Sequence, residues 1–147
     1  LFTIFYPKGW KVLRQNGLTV FTPDVSGPVS LSLFPSIEVA GRVSAVKFLQ
    51  SHLADERAKY PDLTVVRWRE DAPKDPSAPS SAQAVWTHTG ERKVLIRTWT
   101  IVGAQPVPSA TSTVMGFVLC QARDREWRRY EPIFNRMLQS LVFARPK

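Results

Sequence analysis

The segment from Thr113 to Gln121 constrains the fold more than any other part of this 147-residue chain. Successive side chains of a strand point to opposite faces. Here both sets are apolar: Met115, Phe117 and Leu119 in one, Val114, Val118 and Cys120 in the other. Because a strand that is apolar on both faces has to be covered on both, we predict a central strand with a layer of structure on each side.

Further strand-like runs are bounded by turn residues; they are 2–6, 10–13, 18–22, 29–33, 63–70, 84–88 and 93–102. Asn16-Gly17 tolerates positive φ and therefore predicts a tight hairpin turn. A second hairpin turn is expected over residues 89–92, and Pro-rich loops over 72–81 and 103–112. These runs predict a mostly antiparallel sheet.

Two segments change to helical spacing. In residues 44–60, Val46, Leu49 and Leu53 share a face, Ser44 is a suitable N-cap, and the helix should end before Pro61. Residues 124–140 are predicted to form the second helix, whose apolar face comprises Trp127, Tyr130, Phe134, Met137, Leu138 and Leu141. Pro132 requires either a kink or a main helix that starts near Glu131.

This order of elements predicts an α+β fold in which helices cover both faces of an antiparallel sheet, an α/β/α sandwich. We expect one domain over residues 1–147, with no internal repeat. No apolar run approaches the ~20 residues that a membrane-spanning helix needs, so no transmembrane segment is expected.

The two ends of the chain resemble PsbP-like domains. Residues 2–10 read FTIFYPKGW, which is similar to the F-x-I-x-Y-P-x-G-W start of those domains. Residues 130–134 and 137–143 resemble their terminal helix and its S-[FL]-x-[FV] exit. The element order between the ends also fits, so the resemblance spans nearly the whole chain and implies the same α/β/α sandwich.

The family includes the extrinsic PsbP subunit of photosystem II, a fungal nuclear-import factor that binds Ran, and bacterial DcrB-like envelope lipoproteins. Its members resemble one another as binding or assembly proteins, yet their functions differ too widely for the fold to name a partner. The resemblance offers no shared catalytic residue. Within the N-terminal motif we expect Pro7 and Gly9 to set a bend and Trp10 to fill the core.

Signals for catalysis are weak, and we predict a protein that is not an enzyme and needs no cofactor. No Gly-rich phosphate loop or G-x-S-x-G elbow occurs. A Cys120–His88 pair on neighbouring strands is the one nucleophile–base arrangement to consider, but the apolar surroundings of Cys120 favour an inert thiol. His52 and Glu56 lie one helical turn apart without a third metal ligand, so no metal site is predicted.

Binding signals come from the arginines. The formal net charge is +8, and half of this excess lies in the last 25 residues. Arg125, Arg129 and Arg136 are expected on the exposed side of the second helix. Arg67 and Arg69 should point to one face of a strand, and with Arg97 they would form a ledge for carboxylates or phosphates. The alternative is that these arginines rim the sheet and pair with Asp62, Glu70 or Glu91.

We therefore predict a non-enzymatic binding or assembly module with a protein or envelope-complex partner and an anionic ligand as candidates. Nucleic acid is disfavoured, because the aromatic side chains occupy predicted core positions rather than a stacking surface. The resemblance favours an extracytoplasmic location, with a lipid anchor upstream of Leu1 as one form of it. The alternative is a basic intracellular adaptor for an acidic protein or nucleic acid.

Overall fold

The computed structural model describes residues 2–143. Its strands are β1 (Phe2–Thr3), β2 (Lys11–Gln15), β3 (Leu18–Thr22), β4 (Ser30–Leu33), β5 (Ile37–Ala40), β6 (Thr64–Asp71), β7 (Ser80–Thr89), β8 (Leu95–Pro106), β9 (Ser112–Arg123) and β10 (Val142–Phe143). Its α-helices are α1 (Ala45–Lys59) and α2 (Trp127–Ser140). No helix in this described range is long and apolar enough to cross a membrane.

Eight antiparallel strands form one sheet in the order β2-β3-β4-β9-β8-β7-β6, with β5 also paired to β9. The strand β9 bonds to β8 along its length on one side and to β4 and β5 on the other. The prediction that this segment is the central strand is confirmed. A separate two-stranded ladder joins β1 to β10 and so brings the two ends together.

The sheet lies between the two helices, as the sequence predicts. Leu49 and Leu53 of α1 pack on one face against a core that includes Trp86, Val102 and Met115. The helix α2 packs on the other face, and its buried residues are Trp127, Tyr130, Phe134 and Met137. Because β9 supplies Met115 to the first core and Val118 and Cys120 to the second, its apolar residues on both faces are accounted for.

The helix α1 has the predicted bounds. The Ser44 side chain accepts a hydrogen bond from the Lys47 backbone N–H at 3.2 Å, which satisfies one of the free donors of the first turn. The helix ends at Lys59, just before Tyr60 and Pro61. At the other end of the chain, α2 starts at Trp127 after a short 3₁₀ turn, so Pro132 lies inside the helix rather than in its first turn.

Several predicted boundaries are wrong. The strand β8 continues through Pro106, because Gly103 to Pro106 pair with β9, so the first part of the predicted 103–112 loop is strand. The strand β5 was not predicted, and only Phe2–Thr3 of the first strand-like run is paired. The Asn16-Gly17 turn is confirmed, with φ of 52° and 81°. The second hairpin turn is displaced to Arg92 and Lys93, both at positive φ.

The N-terminal bend follows its predicted chemistry. The Trp10 backbone N–H donates to the Pro7 carbonyl oxygen at 3.2 Å, and Gly9 has φ of 89°. This is the pattern of a type II turn, which needs positive φ at its third residue. The Trp10 ring packs against Tyr130 and Phe134 of α2, with centroids 6.3 and 6.4 Å apart. Trp10 is only partly buried, so it closes the margin of the core and does not fill its centre.

Candidate functional site

The edge strand β6 positions two arginines over the face of the sheet that α2 covers. Arg67 pairs with Val85 and Arg69 with Gln83 on β7, and Val85 in turn pairs with Trp99 on β8. The ladder shifts register between Val65 and Arg67, a β-bulge of the kind that turns side chains at a sheet edge. Both arginines line the same cleft between β6 and α2.

We call this space the arginine cleft; it is lined by Arg67, Arg69, Gln83, Ala84, Val85, Trp99, Glu131 and Asn135 and has a volume of about 270 Å³. The Trp99 indole Nε1–H donates to the Gln83 Oε1 at 2.9 Å, which fixes the side chains of the floor. Glu131 and Asn135 lie one turn apart on α2 and form the opposite wall. The floor is therefore rigid, whereas the walls are polar and charged.

Positive charge dominates the arginine cleft and its surroundings. Glu131 and Asn135 also border a shallow surface of α2 that carries Arg128 and Arg136. Arg67 Nη2 lies 3.3 Å from Glu131 Oε1, an ion pair whose arginine is more than half exposed. Exposed pairs of this kind contribute only about 0–1 kcal/mol, so an incoming carboxylate can exchange with Glu131 at low cost.

The remaining predicted arginines do not join the cleft. Arg97 lies on the same face of the sheet, but its Nε donates to Asp124 Oδ1 at 2.7 Å, in place of the predicted ledge with Arg67 and Arg69. Arg125 is exposed, and the Arg129 guanidinium lies 5.3 Å from the centre of the Tyr130 ring. Arg136 lines the shallow surface of α2 next to the cleft and not the cleft itself. The partner of Arg67 is Glu131, which was not among the predicted acidic partners.

Cys120 and His88 do not form a nucleophile–base pair, and they do not lie on neighbouring strands. Cys120 lies on β9 in the core under α2, whereas His88 lies on β7, with β8 between the two strands. His88 pairs with Ile96 and contacts Tyr60 and Trp86, which places it on the α1 face of the sheet. Cys120 has no exposed surface, and burial raises the pKa of its thiol far above the usual range. This thiol is a packing group.

Two clefts on the α1 face were not predicted. The first is an apolar cleft of about 210 Å³ beside α1, lined by Phe34, Pro35, Ile37, Phe48, His52, Met115 and Phe117. The only sequence signal for it was Phe48, which lies off the main apolar stripe of α1 next to His52. The second cleft, described below, surrounds His88. Within residues 2–143 no group of three or more metal-ligating side chains is found.

Comparison with known proteins rests on structure. No family model and no curated protein sequence matches this chain. LpqN, involved in cell envelope biogenesis of Mycobacterium tuberculosis, superposes with a TM-score of 0.64 over 98% of this chain and 83% of its own, at 14% identity. The PsbP of the cyanobacterium Synechocystis sp. PCC 6803 superposes with a TM-score of 0.59 over 97% of this chain and 86% of its own, at 11% identity.

The chain has a PsbP-like fold. The resemblance seen at the two ends of the sequence is therefore confirmed at the level of architecture. At 11–14% identity these similarities establish the fold alone and assign no site residue in this chain.

Proposed function

We propose that this PsbP-like domain is a non-enzymatic binding module that holds a carboxylate-bearing segment of a protein partner in the arginine cleft. The observation that carries the proposal is the composition of this surface. Arg67, Arg69, Arg128 and Arg136 surround one carboxylate, Glu131, over a floor fixed by the Trp99–Gln83 hydrogen bond. Guanidinium groups bind carboxylates in bidentate geometry, and neighbouring positive charges attract a segment that carries several of them.

The proposal is tested by titrating the full chain with an acetylated tetraglutamate peptide at fixed ionic strength. The readout is the NMR signals of the arginine Nε–Hε groups, with Arg67→Gln/Arg69→Gln as the cleft variant. Arg125→Gln/Arg129→Gln is the matched control, because it removes the same charge from exposed sites outside the cleft.

We expect the Arg67 and Arg69 signals to shift and the cleft variant to bind at least about tenfold more weakly, since each hydrogen bond to a charged group is worth about 1.5–3 kcal/mol. The control should stay within about twofold of the wild type. Equal losses in both variants would mean that the peptide responds only to overall charge, and the proposal would fail.

We propose further that the module acts outside the cytoplasm. The support is its structural similarity to LpqN, which is involved in cell envelope biogenesis. Fractionation of the native source, followed by N-terminal sequencing and intact mass of the full-length protein, tests this. A processed or lipidated N-terminus in the envelope fraction is expected. An unprocessed protein in the cytosol would favour the intracellular adaptor instead.

A further inference from the structure

A second polar cleft lies on the opposite face of the sheet from the arginine cleft, near the end of α1. We call it the histidine cleft; its walls are Tyr60, His88, Ile96, Gln121, Arg123, the loop 26–28, residues 90–92 and Val94. Its volume is about 480 Å³, within the usual range for small-molecule sites. It shares no lining residue with the arginine cleft.

His88 lines this cleft and has one buried nitrogen without a partner among the described residues. The residue is 6% exposed, and its ring is stacked against Tyr60, with centroids 3.9 Å apart, and against Trp86 at 5.3 Å. These contacts hold the imidazole in place. Its Nδ1 is buried and has no hydrogen-bond partner among the described residues. The imidazole therefore lines the cleft as a fixed ring, and its buried Nδ1 is one of the few polar atoms that the described part of the fold leaves unpaired.

The turn beside His88 adopts a conformation that its residues disfavour. Arg92 and Lys93 have φ of 55° and 58°, and the Val94 N–H donates to the Glu91 carbonyl oxygen at 3.2 Å. This is a type I′ hairpin turn, which Asn and Gly occupy most easily. The chain does place Asn16-Gly17 in its other hairpin turn of this kind. Strained positions of this sort are concentrated at functional sites, and here the strained Arg92 lines the cleft whereas Lys93 does not.

The charges of the cleft suit an anion. Arg92 and Arg123 line it against a single carboxylate, Glu91. Arg123 is held only loosely from outside, with Nη1 3.4 Å from Glu126 Oε2. Gln121 adds an amide to the same wall. Two guanidiniums beside an amide and an imidazole provide the donors that an oxyanion needs.

We infer that the histidine cleft binds a small molecule through a phosphate or carboxylate group, which Arg92 and Arg123 hold next to the His88 ring. This site is independent of the arginine cleft, because it rests on other residues on the other face of the sheet. The volume of about 480 Å³ suits a small ligand, since small-molecule sites usually measure roughly 300–1,000 Å³.

The test titrates the full chain with inorganic phosphate in one series and succinate in another, at fixed ionic strength. The readouts are the NMR signals of the His88 ring and of the Arg92 Nε–Hε group. Arg92→Gly removes the guanidinium and relieves the positive φ, so this variant should fold at least as well as the wild type. Lys93→Gly relieves the same kind of strain but leaves every lining side chain in place.

We expect saturable shifts at His88 and Arg92 with at least one probe. Arg92→Gly should weaken binding at least about tenfold, with Lys93→Gly within about twofold of the wild type. The stronger probe then distinguishes a phosphate ligand from a carboxylate ligand. Absence of saturation at His88 with both probes, or equal binding by the two glycine variants, would overturn the inference. Shifts confined to Arg67 and Arg69 would also overturn it and would concern only the arginine cleft.

Discussion

At the scale of one residue, Trp10 is less buried in the structure than its sequence motif suggested. Its place in the N-terminal motif suggested a fully enclosed core residue. In the structure the type II turn over Pro7–Trp10 brings the indole onto Tyr130 and Phe134, but one side of the residue remains accessible. Trp10 should therefore stabilise the fold by covering part of the apolar face of α2, and by less than a fully buried tryptophan would.

Replacing Trp10 with alanine should cost about 2–3 kcal/mol of unfolding free energy, below the ~3–5 kcal/mol of a fully buried tryptophan. Urea denaturation followed by far-UV circular dichroism measures this difference. The matched control is Trp68→Ala on β6, where the residue is 37% exposed and its indole N–H donates to Glu70; this change should cost less than about 1 kcal/mol. Equal losses of unfolding free energy in the two variants would contradict the interpretation that Trp10 packs against α2.

At the scale of elements, the sequence predicts those helices and strands that depend on local apolar periodicity. The helix α1 follows from its apolar spacing and the Ser44 cap, and β9 from its two apolar faces. The Arg67–Arg69 pair follows from simple alternation along β6. Each of these depends on residues close together in the chain, so elementary stereochemistry is sufficient.

Elements that depend on distant partners were not predictable in this way. The strand β5 has four residues, and it exists because β9 offers a free edge beyond the end of β4. The end of β8 is extended by the same partner, despite Gly103 and Pro106. In the candidate site, Glu131 meets Arg67 across 64 residues of sequence. Such contacts are set by the packing of α2 on the sheet, which periodicity alone does not specify.

At the scale of the whole molecule, the sheet separates the polar sites. The arginine cleft lies under α2 on one face, whereas the histidine cleft and the apolar cleft lie on the α1 face. The central strand β9 contributes to the cores on both sides. The two histidines of the chain, His52 and His88, both lie on the α1 face, at the apolar and histidine clefts respectively.

Both histidines should couple the stability of the molecule to pH. Burial lowers the pKa of His52 and of His88 below the ordinary value of 6.5. Nearby carboxylates oppose this shift less strongly, chiefly Glu56 at His52 and Asp62 at His88. Between the lowered pKa and 6.5 the unfolded chain binds more protons than the folded chain, so acidification favours unfolding. Their contribution is complete above pH 6.5 and is lost as the pH falls through the folded-state pKa.

Three aspartates affect the stability of the fold in a separate, more acidic pH range. Hydrogen bonds from Ser26, Thr89 and Ser77 lower the pKa of Asp24, Asp62 and Asp75, respectively, below the ordinary value of 3.8. Their folded-state pKa is also depressed, so the stability they contribute is present above pH 3.8 and is lost only below it. A loss of stability between pH 6.5 and 5 therefore reports on the histidines.

We expect the melting temperature to be constant between pH 8 and 7 and to fall as the pH is lowered below 6.5, because the two histidines are protonated more readily in the unfolded chain. Differential scanning calorimetry in buffers of equal ionic strength measures the profile. The His52→Gln and His88→Gln variants should each flatten part of this fall, because glutamine does not titrate, while leaving the decline below pH 3.8 unchanged. If both variants kept the full wild-type slope between pH 6.5 and 5, other groups would control it, and the neutral, buried state of the two imidazoles would be wrong.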